Sequence, residues 1–330
     1  MVGAFKSPSN VGRVRAMGAE ALVLDLLEAD AVRNAILKAK PEAIIHEATS
    51  LNGRLDFRNP DRAFAQTNLL RTKGIDALLA AAREAGVRRF VAQSFASYRY
   101  ERVGGPIKTE NDPLDSNPPA AMRETYAAMS YLDNAVTEAG GVALRYGGFY
   151  GDPTNNSEHV NFLEPVLKRM FPIVGNGGGY ASFIHLEDAA TATVFALEKV
   201  ATGIYNIVDD EPAPVREWLP YLAEVLGAKP PRHFPAWMAR LVAGELAVMM
   251  GTELRGASNV KAKRDLGWTL RYPTWREGFA AAYGNGRAPI ASAVTPPLEP
   301  SPIQTASSGS IRRAAEVPLV RSLRAHSLPS

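Results

Sequence analysis

The feature that most constrains the fold is a regular alternation of short apolar runs with longer helical patterns. The apolar runs are Ala21–Asp25, Ala43–Ala48, Arg89–Ser94 and Val142–Tyr146. The two clearest helical patterns are Leu69–Ala85, which Gly86 follows as a helix-ending residue, and Ala121–Ala139. Strands that alternate with helices predict an α/β fold with a parallel sheet and helical crossovers.

Composition excludes several classes of protein. The 330 residues include no cysteine, which rules out disulfide scaffolds and thiolate metal sites. No apolar run approaches the roughly 18 residues that suggest a membrane span. The N-terminus lacks the charged region and apolar core of a secretory leader. We therefore expect a cytoplasmic protein with no membrane partner.

The net charge of +3 does not indicate a nucleic-acid partner. Five arginines and two glutamates between Arg287 and Ser330 account for the whole excess, so the rest of the chain is near neutral. This segment is rich in Pro, Ser and Ala and lacks apolar periodicity. Such a segment cannot bury enough surface to fold, and we expect residues 285–330 to be a disordered tail.

The pattern changes near Gly151, where we place a boundary. Residues 1–150 carry the strand and helix alternation of the main sheet. Residues 151–284 contain shorter strands, such as Tyr180–His185, mixed with helices, such as Val215–Leu226. This second part predicts a small mixed α/β lobe that binds substrate.

Seven segments in one order identify a family. They are Val23–Leu26, Ala43–Thr49, Thr67–Leu70, Val87–Ser94, Leu144–Gly151, Phe183–Ala190 and Tyr205–Val208. Together they resemble the NAD-dependent epimerase/dehydratase branch of the extended short-chain dehydrogenase/reductase superfamily. The resemblance implies a Rossmann-type doubly wound parallel sheet and NAD(P)-dependent oxidoreduction of a small molecule.

One part of the family pattern is missing from the sequence. In such a sheet the first strand and its Gly-x-x-Gly-x-x-Gly turn lie at the centre and hold the cofactor pyrophosphate. Here Val2–Phe5 matches the second strand, and no such turn precedes it. We therefore expect a sheet without its first strand, and a truncated, impaired family member is one hypothesis for this chain.

The resemblance also implies cofactor contacts at individual positions. Asp25 and Leu26 match the pair that meets the adenine ring. Ala48 and Thr49 end the strand beside the cofactor, where small residues let the backbone approach. Asn68 matches an asparagine for which two interpretations stay open, a structural hydrogen bond between elements or a cofactor contact.

One further turn and one lysine are expected to contact the cofactor. Tyr146, Gly147 and Gly148 match the turn that lies under the nicotinamide. At the end of Val2–Phe5, an acidic residue would accept from a ribose 2′-OH, whereas a cation would accommodate a 2′-phosphate. The residue there is Lys6, which favours NADP over NAD, although an ordinary exposed lysine is the alternative.

The catalytic helix departs from the family pattern. Family members use Tyr-x-x-x-Lys, because a nearby cation favours the phenolate of a tyrosine whose ordinary pKa is about 10. Here Tyr126 is followed at the lysine position by Ser130. Tyr126 and Ser94, at the end of the preceding strand, are the candidate catalytic residues, and ordinary proton transfer is in doubt.

A second departure from the family pattern bears on the substrate class. Nucleotide-sugar enzymes of the family place a diphosphate-binding arginine two residues before the Phe-Ile-His run, where this chain has Ala181. We therefore expect a smaller carbonyl or alcohol substrate. A non-catalytic NADP-binding sensor or scaffold is the alternative to an enzyme.

The apolar face of Ala121–Ala139 permits a homodimer.

Overall fold

Parallel strands with helical crossovers form the core, as the sequence predicts. The computed structural model of the chain describes residues 1–51, 58–97, 99–151, 163–199 and 202–284, all within one compact unit. The predicted tail at 285–330 lies outside the described residues. The division near Gly151 stays a prediction.

The elements follow the predicted alternation. The strands are β1 (Val2–Phe5), β2 (Glu20–Val23), β3 (Ala43–His46), β4 (Arg89–Phe95), β5 (Ile107–Lys108), β6 (Val142–Tyr146), β7 (Gly148–Tyr150), β8 (Ile173–Val174), β9 (Tyr180–Ala181), β10 (Phe183–His185), β11 (Gly203–Ile207), β12 (Ala213–Pro214), β13 (His233–Phe234) and β14 (Gly256–Ala257). The helices are α1 (Val11–Ala16), α2 (Ala29–Ala39), α3 (Pro60–Leu69), α4 (Ile75–Glu84), α5 (Arg123–Glu138), α6 (Leu186–Glu198), α7 (Val215–Val225), α8 (Ala236–Thr252), α9 (Val260–Leu266) and α10 (Trp275–Tyr283).

The main sheet has four parallel strands in the order β11-β6-β4-β3. Its register pairs Val91 with Val142, and all five residues of β6 are buried. A strand buried along its whole length is typical of a parallel sheet that is covered on both faces. The α/β class with a parallel sheet is therefore confirmed.

A second parallel sheet consists of β1 and β2 alone, and β1 is not paired with β3. The break falls where the family resemblance places the first strand. Apolar side chains near the break are open to solvent: Val2, Val23 and Ile45 are 41%, 47% and 44% exposed. The pair β1 and β2 is thus separate from the main sheet.

Side chains of β4 alternate between the two faces of the main sheet. Phe90 and Ala92 pack with residues of α2, α4 and α5 on one face. Val91 packs with residues of α6 and α9 on the other. A third core joins β10, α7 and α10 around Trp218 and Phe279. Among the described helices, none is long and apolar enough to cross a membrane.

The helix predicted from Leu69 begins earlier than expected. The structure starts α3 at Pro60, and a π-helical turn at Leu70–Gly74 joins it to α4. Proline is favoured at the first helical position because its missing N–H has no helical partner there. The predicted end is confirmed, since Gly86 has φ of 69° and its N–H donates to the Arg83 carbonyl at 3.2 Å.

Candidate functional site

The candidate site lies at the edge of the main sheet where its parallel strands end. In open α/β sheets, ligands bind outside the carboxyl ends of the strands. Ser94 is the second-last residue of β4, Tyr146 ends β6, and Ala48 and Thr49 follow β3. The fold therefore brings these four predicted residues to one edge.

Ser94 is buried at this edge. It is 1% exposed, and its Oγ accepts a hydrogen bond from Nη1 of Arg99 at 3.0 Å. Since a guanidinium only donates, the hydroxyl proton of Ser94 points away from Arg99. Ser94 is thus tied to a buried cation that no sequence motif had indicated.

Tyr126 lies on α5 and faces a small cavity. Its ring is 7% exposed and packs with Met122, Met129 and residues of α8. The cavity of about 340 Å³ is lined by Leu114, Asp115, Ser116, Asn117, Pro118, Arg123, Tyr126, Ala127 and Ser130. Tyr126 and Ser130 are one helical turn apart on the same face. The described lining contains no lysine and does not include Ser94.

A buried charge cluster lies behind this cavity. Asp133 is 1% exposed, and its Oδ2 is 2.7 Å from Nη1 of Arg99 and 2.8 Å from Nη2 of Arg145. Arg145 also donates to the hydroxyl of Tyr100, which donates to Asn206 at 2.8 Å. Two guanidinium groups share one carboxylate, so the cluster carries a net positive charge.

Arg71 adds to this positive charge. Burial, helped by the nearby charge of Arg99, lowers the pKa of Arg71 to about 10, so it stays charged at neutral pH. Its Nη1 lies 3.5 Å from Oδ1 of Asn68, and the Asn68 amide donates to Thr125 Oγ1 at 3.1 Å. Asn68 therefore makes an inter-helix hydrogen bond between α3 and α5, while a cofactor contact stays a prediction.

The pKa values of His46, the last residue of β3, and of Glu47, which follows it, are shifted in opposite directions. His46 is 4% exposed, and burial, with the charge of Arg71, lowers its pKa to about 4. Desolvation raises the pKa of the neighbouring Glu47 to about 7. The hydrogen bond that the Tyr146 hydroxyl donates to Glu47 at 3.2 Å acts in the opposite direction and offsets part of this rise. At neutral pH the imidazole of His46 is therefore neutral.

Two predicted cofactor residues meet at the ends of β1 and β2. Nζ of Lys6 lies 2.7 Å from Oδ2 of Asp25, and Asp25 Oδ1 accepts from the Leu27 N–H at 3.1 Å. The hydrogen bond from Lys6 holds the pKa of Asp25 below its ordinary value. Leu26 packs against the core of α2 and α4. The positive charge of Lys6 is thus balanced by Asp25.

The turn after β6 is held by protein contacts. Tyr146 is 1% exposed, and its hydroxyl lies 2.6 Å from Thr193 Oγ1. A Cβ at Gly147 would lie 2.8 Å from the carbonyl oxygen of Ser182, which also accepts from the Gly148 N–H at 2.8 Å. Glycine is required at 147 because this neighbouring segment approaches closely.

The described residues fit the two ends of a dinucleotide better than its middle. In a bound dinucleotide, Lys6 and Asp25 would offer polar groups to the adenosine, and Tyr126 and Ser130 would offer hydroxyls to the nicotinamide end. A pyrophosphate is held by backbone N–H groups of a glycine turn at a helix N-terminus. Among the described residues, no strand leads into a helix through a Gly-x-x-Gly-x-x-Gly turn.

Sequence reasoning missed the charge cluster, although part of it left a signal. Arg145 interrupts an apolar strand, and Asp133 lies among the apolar positions of α5. Charges at such positions are rarely buried unless they are paired. Arg99 follows β4 in a loop, where an arginine is ordinary, and nothing in its surroundings indicated burial.

Comparison with known proteins agrees with this architecture. The family model for the NAD-dependent epimerase/dehydratase family matches residues 2–208. A Streptomyces protein named 3-diazoavenalumate denitrifying reductase is 40% identical over 261 residues, covering 78% of this chain and 85% of that protein. UDP-glucose 4-epimerase of Corynebacterium glutamicum is 28% identical over 291 residues, covering 81% of this chain and 83% of that protein.

Solved structures share the fold at low sequence identity. UDP-glucose 4-epimerase of Thermotoga maritima superposes with a TM-score of 0.63 at 20% identity, covering 86% of this chain and 89% of that chain. DesIV, a dTDP-glucose 4,6-dehydratase of Streptomyces venezuelae, gives a TM-score of 0.64 at 20% identity, covering 86% and 85%. The family resemblance is confirmed: the chain belongs to the NAD-dependent epimerase/dehydratase family.

Proposed function

We propose that this chain is an NAD(P)H-dependent reductase of a small molecule other than a nucleotide sugar. The observation that carries the proposal is the cavity of about 340 Å³ that Tyr126 and Ser130 line, with Arg99 behind it. Hydroxyl donors backed by a fixed positive charge stabilise an oxygen that gains negative charge. A carbonyl oxygen does so when its carbon accepts a hydride.

Each residue has a separate role in this proposal. The nicotinamide, when bound, supplies the hydride. Tyr126, which lines the cavity, gives a proton to the substrate oxygen. Ser94 acts through Arg99, because its side chain is 1% exposed and its oxygen already accepts from that guanidinium.

Two observations support a small substrate. Ala181 lies in β9, paired with Ala213, and an alanine cannot bind a diphosphate as an arginine does. The volume of about 340 Å³ is at the lower end of the range for small-molecule sites. The reaction type has separate support, because the relative that is 40% identical is named a reductase.

That relative favours a second candidate reaction. Its name describes the denitrifying reduction of a diazo-substituted carboxylate. In such a step a hydride forms a C–H bond at the carbon that bears the diazonium group, and the C–N bond breaks to release dinitrogen. The positive charge of Arg71 and Arg99, behind the lining, would then favour an anionic substrate in the cavity.

The cofactor preference is a separate proposal. Lys6 favours NADPH, but its ammonium is paired with Asp25, so a 2′-phosphate must displace that carboxylate. We therefore propose a modest preference for NADPH over NADH. Crystal structures of Thermus thermophilus UDP-glucose 4-epimerase and of DesIV contain NAD, which agrees with a nicotinamide cofactor in this fold.

Turnover with a panel of substrates tests the proposed function. NADPH and NADH oxidation is followed with an aromatic aldehyde, an aromatic ketone and an aryl diazo compound. Conversion of UDP-glucose to its 4-epimer in the presence of NAD⁺ is measured separately, because epimerisation consumes no net reducing equivalent. We expect turnover with a small substrate and none with UDP-glucose. Tyr126→Phe should lower kcat by at least about 100-fold, because a positioned proton donor contributes that much.

Other outcomes would contradict the proposal. Turnover of UDP-glucose alone would refute the substrate class, and an unchanged kcat in Tyr126→Phe would refute the proton donor. Stoichiometric NADPH binding without turnover of any probe would favour the sensor or scaffold. A homodimer through α5 is a further proposal, which sedimentation of the full chain tests.

A further inference from the structure

We propose that Ser130 binds the reacting oxygen of the substrate and that Arg99, from behind, supplies the positive charge that α5 itself lacks. This inference rests on the proposed reductase function and names the two residues that would hold its oxyanion. Ser130 would be the contacting group. Arg99 would be a positioning residue that acts through it.

The first step is the direction of the Ser130 hydroxyl. Ser130 lies four residues after Tyr126 on α5, lines the same cavity and is partly exposed. Nη2 of Arg99 donates to its Oγ at 3.3 Å. A hydroxyl has one proton and two acceptor positions, and a guanidinium cannot accept. The Ser130 proton is therefore left to be donated to another group, and the cavity is the space beside it.

The second step is that Arg99 is held in place. Its side chain is 1% exposed, and its guanidinium contacts Asp133 at 2.7 Å, Ser94 at 3.0 Å and Ser130 at 3.3 Å. A donor fixed by three partners needs little reorganisation when charge develops nearby. Because water is excluded from Arg99, its charge is screened less than that of a surface cation.

The third step is the balance of charge around this group. Asp133 also neutralises Arg145 at 2.8 Å, so one carboxylate serves two guanidinium groups. Arg71 lies close enough to Arg99 and Asp133 for their charges to act on it, and it adds a further positive charge. At the cavity lining, Asp115 is paired with Arg102 at 3.1 Å, whereas Arg123 forms no ion pair with another described residue. The ligand that suits this surplus is an oxyanion, or a neutral carbonyl that becomes one.

A phenolate probe tests the inference without cofactor or turnover. The probe is 4-nitrophenol, whose neutral and ionised forms absorb at different wavelengths, titrated with the full chain across pH. We expect the bound probe to ionise at a lower pH than the free probe. Ser130→Ala should weaken phenolate binding about tenfold, since a hydrogen bond to a charged group is lost.

Two further variants separate the role of Ser130 from general damage to the fold. Thr137→Ala removes a hydroxyl that bonds the Asp133 carbonyl on the same helix, outside the cavity lining, and should change probe binding less than twofold. Arg99→Lys keeps the charge but loses the fork of donors, so binding should fall between the wild type and Ser130→Ala.

The results that overturn the inference are distinct from failure of the reductase. An unshifted ionisation of the bound probe, or equal loss in Ser130→Ala and Thr137→Ala, refutes the oxyanion site. Phenolate binding that depends on Ser130, in a chain that reduces no substrate, upholds the site and refutes the proposed activity. If Arg99→Lys does not fold, the comparison of Ser130→Ala with Thr137→Ala still decides.

Discussion

Replacement of Asp133 is the sharpest test of the buried charge cluster. Asp133→Asn keeps the size of the side chain but removes the carboxylate that Arg99 and Arg145 share. Oδ1 of Asp133 is buried and has no hydrogen-bond partner among the described residues, so the new amide nitrogen meets no acceptor there. Both guanidinium groups would stay buried without a counter-charge.

The expected loss of stability is large for a single isosteric change. Breaking a buried ion pair by removing one partner costs about 3–5 kcal/mol, because an uncompensated charge remains inside. Asparagine keeps one acceptor oxygen, and Arg145 keeps its bond to Tyr100, so we expect the lower end, about 3 kcal/mol. Equilibrium urea unfolding, followed by tryptophan fluorescence and far-UV circular dichroism, measures this loss.

A surface pair provides the matched control. Glu84 pairs with Arg33 on the outside of α2 and α4, and both side chains are about half exposed. Glu84→Gln should leave the urea midpoint nearly unchanged, because exposed pairs contribute little to stability. If Asp133→Asn shifts the midpoint no more than Glu84→Gln does, the cluster is not the buried, charged unit described above.

Two further predictions concern His46 and Lys6. Burial holds the pKa of His46 near 4, whereas its ordinary value is 6.5. As the pH falls, the unfolded chain therefore binds the proton before the folded chain does. Protonation of His46 should lower the free energy of unfolding by up to about 3 kcal/mol between pH 6.5 and 4. Glu47, whose pKa is raised to about 7, changes the stability with the opposite sign over this range. The measurement is therefore the difference in free energy of unfolding between the wild type and His46→Gln across pH. A difference that does not change with pH would contradict the prediction for His46. Lys6→Ala should reduce the ratio of NADPH to NADH affinity, measured by fluorescence titration, and an unchanged ratio would remove Lys6 from cofactor choice.

The parts of the fold that depend on local pattern could be read from the sequence. The strand at Val142–Tyr146 and the helix end at Gly86 follow from apolar periodicity and from glycine at a left-handed position. The start of α3 could have been predicted too, since Pro60 is an N-terminal signal. The break between β1 and β3 falls where the family resemblance predicts that the first strand is missing, but sequence does not show how the remaining strands pair.

The candidate site was predictable in part. The sequence places Tyr126 and Ser130 one turn apart on a helix and shows that a lysine is missing there. It does not show that Arg99 comes from a loop after β4 to lie behind them. Burial of that guanidinium depends on Asp133, which is 34 positions away along the chain, and such pairings leave no local pattern.

The central claim is that this chain binds a nicotinamide dinucleotide as its cofactor. Calorimetric titration of the full chain with NADPH, and separately with NADH, tests it most directly. We predict saturable binding at one site per chain, with NADPH the tighter of the two. The absence of saturable binding for both cofactors would contradict the account.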